Sequence, residues 1–223
     1  MRISNITLSL ALMLTACAPG GVASAAPGAK DTTPYVVPAD LEAQVTKGAL
    51  ASAVFAGGCF WCMESSVEAV PGVVAVISGY AGGAEAKPTY QDVGSSRTGH
   101  YEVVRVIYDP AKLSYAKLLE VFWRNIDPTQ GDGQFCDHGP QYRSAVFPAT
   151  PEERKAAEAS LAAAGKTLGR PIVTPILPSA PFWPAETYHQ DFYKKNPDHY
   201  RAYREGCGRD RRLQQLWGES TGH

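Results

Sequence analysis

Cys59 stands in the run Gly57-Gly58-Cys59-Phe60-Trp61-Cys62-Met63-Glu64, and these residue types in this order suit sulfur chemistry. The apolar run 52–56 before it reads as a strand, and 64–70 after it reads as a helix stopped by Pro71-Gly72. Cys59 therefore falls at a strand-to-helix turn, beside backbone N–H groups that lack intrahelical partners and at the positive end of the helix dipole. Both favour a thiolate; cysteines so placed have pKa values lowered from ~8.5 to roughly 3.5–7.5. The two glycines allow a tight turn and leave the sulfur uncrowded. A cysteine among apolar residues is otherwise a small buried hydrophobe. Here a glycine pair, a helix start, two aromatics and a second cysteine three residues on coincide, and the combination points to a nucleophile or redox thiol.

Other residues able to support such chemistry lie far away in sequence. Glu102 opens a strong strand, 101–108, where a carboxyl is either at a solvent edge, paired with Arg, or desolvated and held protonated as an acid. Tyr90 lies in a long loop after Gly82-Gly83, and Asp137, His138 and Tyr142 lie in a second, Gly-rich loop over 127–143. Loops of that length inside a compact domain tend to carry function.

Three reactions compete. Cys59-Phe60-Trp61-Cys62 has the C-x-x-C spacing of thiol–disulfide exchange, although its two intervening residues are bulky aromatics. A zinc site built from Cys59, Cys62, Cys136, His138 or Cys207 lacks a second closely spaced pair, and no metal is expected. Reduction of an oxidised thioether by one nucleophilic cysteine suits Phe60 and Trp61, because sulfur contacts aromatic rings favourably.

The elements that must position these residues follow in order. Strands are expected at 73–80, 101–108 and 144–147, with an edge strand at 172–177 broken by Pro175. Helices are expected at 114–125, with Ser114 as N-cap, and at 151–165, with Pro151 at its start. Helical spacing recurs over 185–203, interrupted by Pro197, and gives His189 and His199 structural roles. Cys207, between Gly206 and Gly208, reads as part of a mobile tail. The fold class is α+β: a single domain, a two-layer α/β sandwich with a mixed, mainly antiparallel sheet of ferredoxin-like type.

Of the 223 residues, 1–17 read as an export signal: Met1-Arg2, a short apolar run, then Leu14-Thr15-Ala16-Cys17, which resembles a bacterial lipobox with Cys17 as the lipidated residue. The run is too short to span a bilayer stably. Cleavage after Ala23-Ser24-Ala25 and an uncleaved segment are the competing fates. The Ala-, Gly-, Pro- and Thr-rich stretch 18–48 reads as a flexible linker, and 49–223 as the catalytic domain. Export places the protein in the periplasm, with a lipid as its only membrane attachment. A formal net charge of −1 gives no electrostatic case for nucleic acid.

Gly57-Gly58-Cys59-Phe60-Trp61 also resembles the signature of the A-type peptide-methionine sulfoxide reductases. Further segments resemble that family in order: Gly79-Tyr80-Ala81-Gly82-Gly83, Pro88-Thr89-Tyr90, Thr98-Gly99-His100-Tyr101-Glu102, Tyr108-Asp109-Pro110, Asp127-Pro128-Thr129-Gln130, Asp137-His138-Gly139-Pro140-Gln141-Tyr142-Arg143 and Tyr188-His189-Gln190-Asp191. The match covers about residues 50–205. The resemblance implies that Cys59 attacks the sulfoxide sulfur, Glu102 supplies a proton, and Tyr90 and Tyr142 hydrogen-bond the oxygen. It also implies that Phe60 and Trp61 hold the methyl group and Asp137 fixes the substrate backbone or a water. A sulfenic acid on Cys59 is then resolved as a disulfide by Cys62 or Cys207. No bound cofactor is implied; a thioredoxin-like protein is the electron donor, the substrate is methionine-S-sulfoxide in proteins or free, and the state is monomeric. Cys62 and Cys136 depart from the family pattern, which often has Gly and Asn there, so the resolving thiol stays open.

Overall fold

The computed structural model describes residues 30–218. The export segment, Cys17 and the linker residues up to 29 lie outside the described residues. No helix among the described residues is long and apolar enough to cross a membrane.

A five-stranded sheet is the frame. β1 (Ala51–Gly57), β2 (Val73–Ala81), β3 (Tyr101–Tyr108), β6 (Ser144–Phe147) and β7 (Trp183–Pro184) lie in the order β6-β1-β3-β2-β7, and every pair is antiparallel. One parallel bridge, Val146 to Ile176, supplies the mixed character. β4 (Gly133–Gln134) and β5 (Asp137–His138) form a separate hairpin inside the second long loop.

β3 is central because it is apolar on both faces, as a strand covered on both sides must be. Val104, Val106 and Tyr108 point into one core with Phe55 of β1. Helices α2 (Phe60–Glu68), α4 (Tyr115–Arg124) and α5 (Pro151–Leu168) lie on that side. α4 starts where Ser114 accepts from the Lys117 N–H and turns Leu118, Leu119, Phe122 and Trp123 inward. Phe122 stacks on Phe55 with ring centroids 5.0 Å apart. Burying a side chain of this size contributes about 1.5–3 kcal/mol.

The opposite face is covered by Tyr101 and Phe147 with Phe182, and by Tyr35, Val37, Leu41 and Val45 around Ile77 and Ile107. The tether reading of 18–48 is corrected here: α1 (Ala39–Thr46) lies within it, and Arg105 pairs with Glu42 across the sheet face. The composition is loop-like, but Leu41 and Val45, one helical turn apart, find apolar sheet to cover.

Other elements depart from the sequence reading. The 172–177 segment is not a strand; it touches β6 through the single bridge and through Val146 and Leu177 N–H bonds, because Pro175 has no donor to extend the ladder. The stretch 185–203 divides into a 3₁₀ turn, α6 (Phe192–Lys195) and α7 (Pro197–Cys207), split where Asp191 takes φ 53° and Pro197 restarts the helix. Cys207 is not on a mobile tail: it ends α7, Gly208 turns the chain at φ 70°, and α8 (Arg209–Trp217) follows. The remaining short helix, α3 (Tyr90–Gly94), starts from a Thr89–Asp92 capping box.

Candidate active site

Cys59 is the N-cap of α2, at the end of β1. Gly58 makes the turn with φ +81°, where a Cβ would strike Gln134; a Cβ on Gly57 would lie 2.3 Å from Met63 Sδ. The glycine pair is thus required by both conformation and packing. Cys59 is 6% exposed, and its carbonyl accepts from the N–H groups of Cys62 and Met63.

The side chains named from sequence converge on this sulfur. Cys59, Phe60, Trp61, Tyr90, Glu102, Asp137, Tyr142 and Tyr203 line one cavity of about 90 Å³. Glu102 reaches it from β3, opposite Tyr80 in the ladder, and its Oε2 accepts the Phe60 N–H at 3.0 Å. The carboxyl therefore sits at the same helix start as Cys59. Glu102 is 2% exposed and on the central strand, which disposes of the solvent-edge and Arg-paired alternatives. Burial pushes its pKa up to about 8, against the Phe60 hydrogen bond, with Asp137 and Cys62 adding repulsion.

Phe60 is buried against Tyr80 and His189. Trp61 is half-buried, stacks on Phe192 at 3.7 Å, and donates from Nε1 to His189 Nδ1 at 3.1 Å. His189 therefore orients the indole, in keeping with the structural role expected of it. Tyr90 enters from α3, whose start is held where Glu186 accepts the Tyr90 N–H at 2.7 Å and the Tyr80 hydroxyl at 2.9 Å. Tyr142 comes from the 3₁₀ turn Pro140–Tyr142 and shares a hydrogen bond with Tyr90. Asp137 accepts from the Tyr203 hydroxyl. Burial raises the pKa of Tyr90, Tyr142 and Tyr203, so all three stay protonated and able to donate. Burial likewise raises Asp137, opposed first by the Tyr203 bond.

The two thiols behave as a pair. Burial pushes Cys59 well up, and a hydrogen bond to Cys62, the Cys62 charge and Glu102 act in the same direction, against a hydrogen bond from Tyr203. Cys62 is drawn down to about 6, first by the Cys59 hydrogen bond and then, against burial, by Arg209 and Arg204. The expectation of a lowered Cys59 at the helix start is corrected accordingly: within the folded pocket the pair holds one negative charge, and Cys62 carries it.

Cys136 and Cys207 are joined in a disulfide, while Cys59 and Cys62 are free. Cys136 is thus not a spare thiol, and Cys207 has no thiol to offer in this state. The bridge links residues adjacent to two pocket groups: Cys136 precedes Asp137, and Cys207 lies one turn beyond Tyr203 on α7. Among the described residues, Cys136, Asp137 and Cys207 make one cluster of the size a metal would need, but its two sulfurs are bonded to each other.

Sequence reasoning missed Tyr203, which α7 delivers, and the anchoring carboxylate Glu186. A signal existed for the first: Tyr200, Tyr203, Arg204 and Cys207 recur at helical spacing on one face.

Comparison with known proteins gives a consistent result. The family model for peptide methionine sulfoxide reductase matches residues 51–221. The chain is 57% identical over 168 residues to peptide methionine sulfoxide reductase MsrA 2 of Caulobacter vibrioides, covering 75% of this chain and 85% of that one. It is 50% identical over 169 residues to peptide methionine sulfoxide reductase MsrA of Bacillus subtilis, covering 74% and 95%. Methionine sulfoxide reductase A of Corynebacterium diphtheriae superposes with a TM-score of 0.64 at 34% identity, over 67% of this chain and 76% of that one. Reduced Mxr1 of Saccharomyces cerevisiae gives 0.64 at 31% identity, over 67% and 87%. With these matches and with Cys59, Glu102 and the aromatic walls in one cavity, the chain belongs to the peptide methionine sulfoxide reductase family and is an oxidoreductase of that kind.

Proposed function

We propose that this protein reduces methionine-S-sulfoxide, in proteins and as the free amino acid, and that it repairs exported proteins outside the cytoplasm. The observation that carries the reading is the joint placement of the Glu102 carboxyl and the Cys59 sulfur at the first turn of α2, inside a cavity walled by Phe60 and Trp61. A sulfoxide oxygen leaves poorly unless protonated, so a neutral carboxylic acid beside a nucleophilic sulfur is the arrangement the reaction requires.

The steps balance as follows. The Cys59 proton passes along the thiol–thiol hydrogen bond to Cys62, leaving a Cys59 thiolate. That sulfur attacks the sulfoxide sulfur while Glu102 gives its proton to the oxygen. Tyr90 and Tyr142 donate to the same oxygen as charge builds on it. Phe60 and Trp61 hold the methyl group, and Asp137, fixed by Tyr203, holds the substrate backbone or a water. Methionine departs, the oxygen stays on Cys59 as a sulfenic acid, and Glu102 is left ionised. Cys62 then displaces the oxygen as water and forms the Cys59–Cys62 disulfide. A thioredoxin-like protein restores the dithiol. Cys207 becomes available as an alternative resolver only if its bridge to Cys136 exchanges.

The protein acts as a monomer, without nucleic acid. It is held at the membrane through a lipid on Cys17 or released into the periplasm by cleavage after Ala25. The test is a single turnover on a methionine-S-sulfoxide peptide with no reductant. Cys59→Ser yields no methionine, whereas Cys62→Ser and Cys207→Ser each yield close to one equivalent. Methionine from Cys59→Ser ends the proposal. The C-x-x-C alternative, thiol–disulfide exchange, predicts instead that the reduced protein reduces insulin disulfides and leaves methyl sulfoxides untouched.

A further inference from the structure

Two buried arginines lie behind the Cys59–Cys62 turn, and the steps above use neither. Arg209, the first residue of α8, is 1% exposed. Its Nη2 donates to the Gly57 carbonyl at 3.0 Å and the Asn125 carbonyl at 2.7 Å, and lies 3.2 Å from Met63 Sδ. Its guanidinium covers the Phe135 ring at 4.5 Å. Its Nε has no hydrogen-bond partner, and among the described residues no carboxylate lies within ion-pair distance of it. A guanidinium stripped of water costs several kcal/mol unless an anion faces it. The groups on which its charge acts are Cys62 and Asp137, and Asp137 is already held by Tyr203.

Arg204 of α7, 6% exposed, supports the same place from the other side. It clamps Asp210 through Nε at 3.1 and 3.0 Å and turns Nη1 to the Tyr200 hydroxyl at 3.0 Å. Tyr200 hydrogen-bonds Ser65, whose Oγ also donates to the Cys62 carbonyl at 3.1 Å.

We propose that the Arg209 guanidinium, backed by Arg204, is the counter-charge that holds Cys62 as a thiolate, so that Cys62 can take the Cys59 proton and then resolve the sulfenic acid. The inference rests on the reductase reading and deepens it: Arg209 is a positioning residue that acts through Cys62. In the resolving step the Cys62 sulfur attacks the Cys59 sulfur, an S–S bond forms and the S–O bond breaks. Cys62 is oxidised, Cys59 is reduced, and the departing hydroxide takes a proton to leave as water. The ionisable groups facing Cys62 are Cys59 on its own helix, Glu102 from β3, Asp137 from β5, Tyr200, Tyr203 and Arg204 from α7, and Arg209 from α8. The carboxyls oppose its ionisation, and the two arginines are the cations that favour it.

The test reads the thiolate itself. In the full chain carrying Cys59→Ser, absorbance at about 240 nm is titrated against pH, with Cys59→Ser/Cys62→Ser as the blank, so that only Cys62 contributes. Its midpoint is expected below that of an ordinary thiol, and Arg209→Gln is expected to raise it by about 1–2 units. In the otherwise native enzyme, Arg209→Gln leaves a sulfenic acid on Cys59 that dimedone traps at pH 7, while at pH 9 disulfide formation returns to the parent rate. A merely structural role would not be rescued by pH. A folded Arg209→Gln whose Cys62 midpoint stays where the parent has it overturns the proposal. If that variant does not fold, the Cys59→Ser protein alone decides, since a midpoint at or above about 8.5 leaves no counter-charge to assign. A native enzyme that yields no methionine removes the reductase reading but leaves the titration result standing.

Discussion

Replacing Glu102 by Gln tests the acid role directly. The amide keeps an oxygen to accept the Phe60 N–H, now received at 3.0 Å, so the start of α2 retains its partner. It removes the transferable proton. With its pKa pushed from 4.5 to about 8, Glu102 is about nine-tenths protonated at pH 7. An unshifted carboxyl would be protonated in only about three molecules per thousand at that pH. Burial on β3 thus raises the population of the acid about 300-fold, and losing a positioned acid typically costs 10²–10⁴-fold in rate. The assay is rapid-quench formation of methionine in a single turnover from pH 5 to 10. The parent rate is expected to rise through about pH 6 as Cys62 ionises and to fall through about pH 8 as Glu102 loses its proton. Glu102→Gln is expected to be at least about 100-fold slower and to lose the alkaline limb. A variant within about threefold of the parent, or one that keeps the fall near pH 8, would falsify the assignment of Glu102 as the acid.

Tyr142→Phe removes one donor to the sulfoxide oxygen and is expected to slow methionine formation about 10²-fold with little change in the pH profile. The double Tyr90→Phe/Tyr142→Phe variant should lose less than the product of the singles, because the two hydroxyls share a hydrogen bond. The Cys136–Cys207 bridge closes a loop with a sequence separation of 71, so Cys136→Ser/Cys207→Ser should lower unfolding stability by about 4 kcal/mol in a denaturant titration. Glu64 is buried away from the cavity, accepts from Ser78 Oγ and the Asp191 N–H, and is pushed up by burial from 4.5 to about 8. A carboxyl with a raised folded pKa keeps its proton where the unfolded chain has lost it. Stability therefore falls as pH rises from about 4.5 to about 8, by up to about 1.4 kcal/mol per unit for each such group. Glu64→Gln should flatten that slope while Glu102 continues to contribute, and an unchanged slope would contradict the burial of Glu64.

The local elements were legible because their causes are local. The Gly57-Gly58 turn, the alternating β3, the Ser114 cap and the apolar face of α4 each follow from a few neighbouring residues, and the structure forms each of them. The convergence of Cys59, Phe60, Trp61, Tyr90, Glu102, Asp137 and Tyr142 on one cavity was foreseen from the family resemblance rather than from spacing. Long-range matters were decided by the fold. Whether 39–46 is tether or helix depends on apolar sheet it covers from another part of the chain. The Cys136–Cys207 bridge joins a hairpin to a helix end, and Tyr203 reaches the pocket only because α7 packs there. The charge on the thiols shows the same division most clearly. Sequence placed Cys59 at a helix start and so favoured its ionisation, but burial on all sides outweighs one helix terminus. Two arginines more than 140 positions along the chain then draw the charge to Cys62, and only packing brings them there.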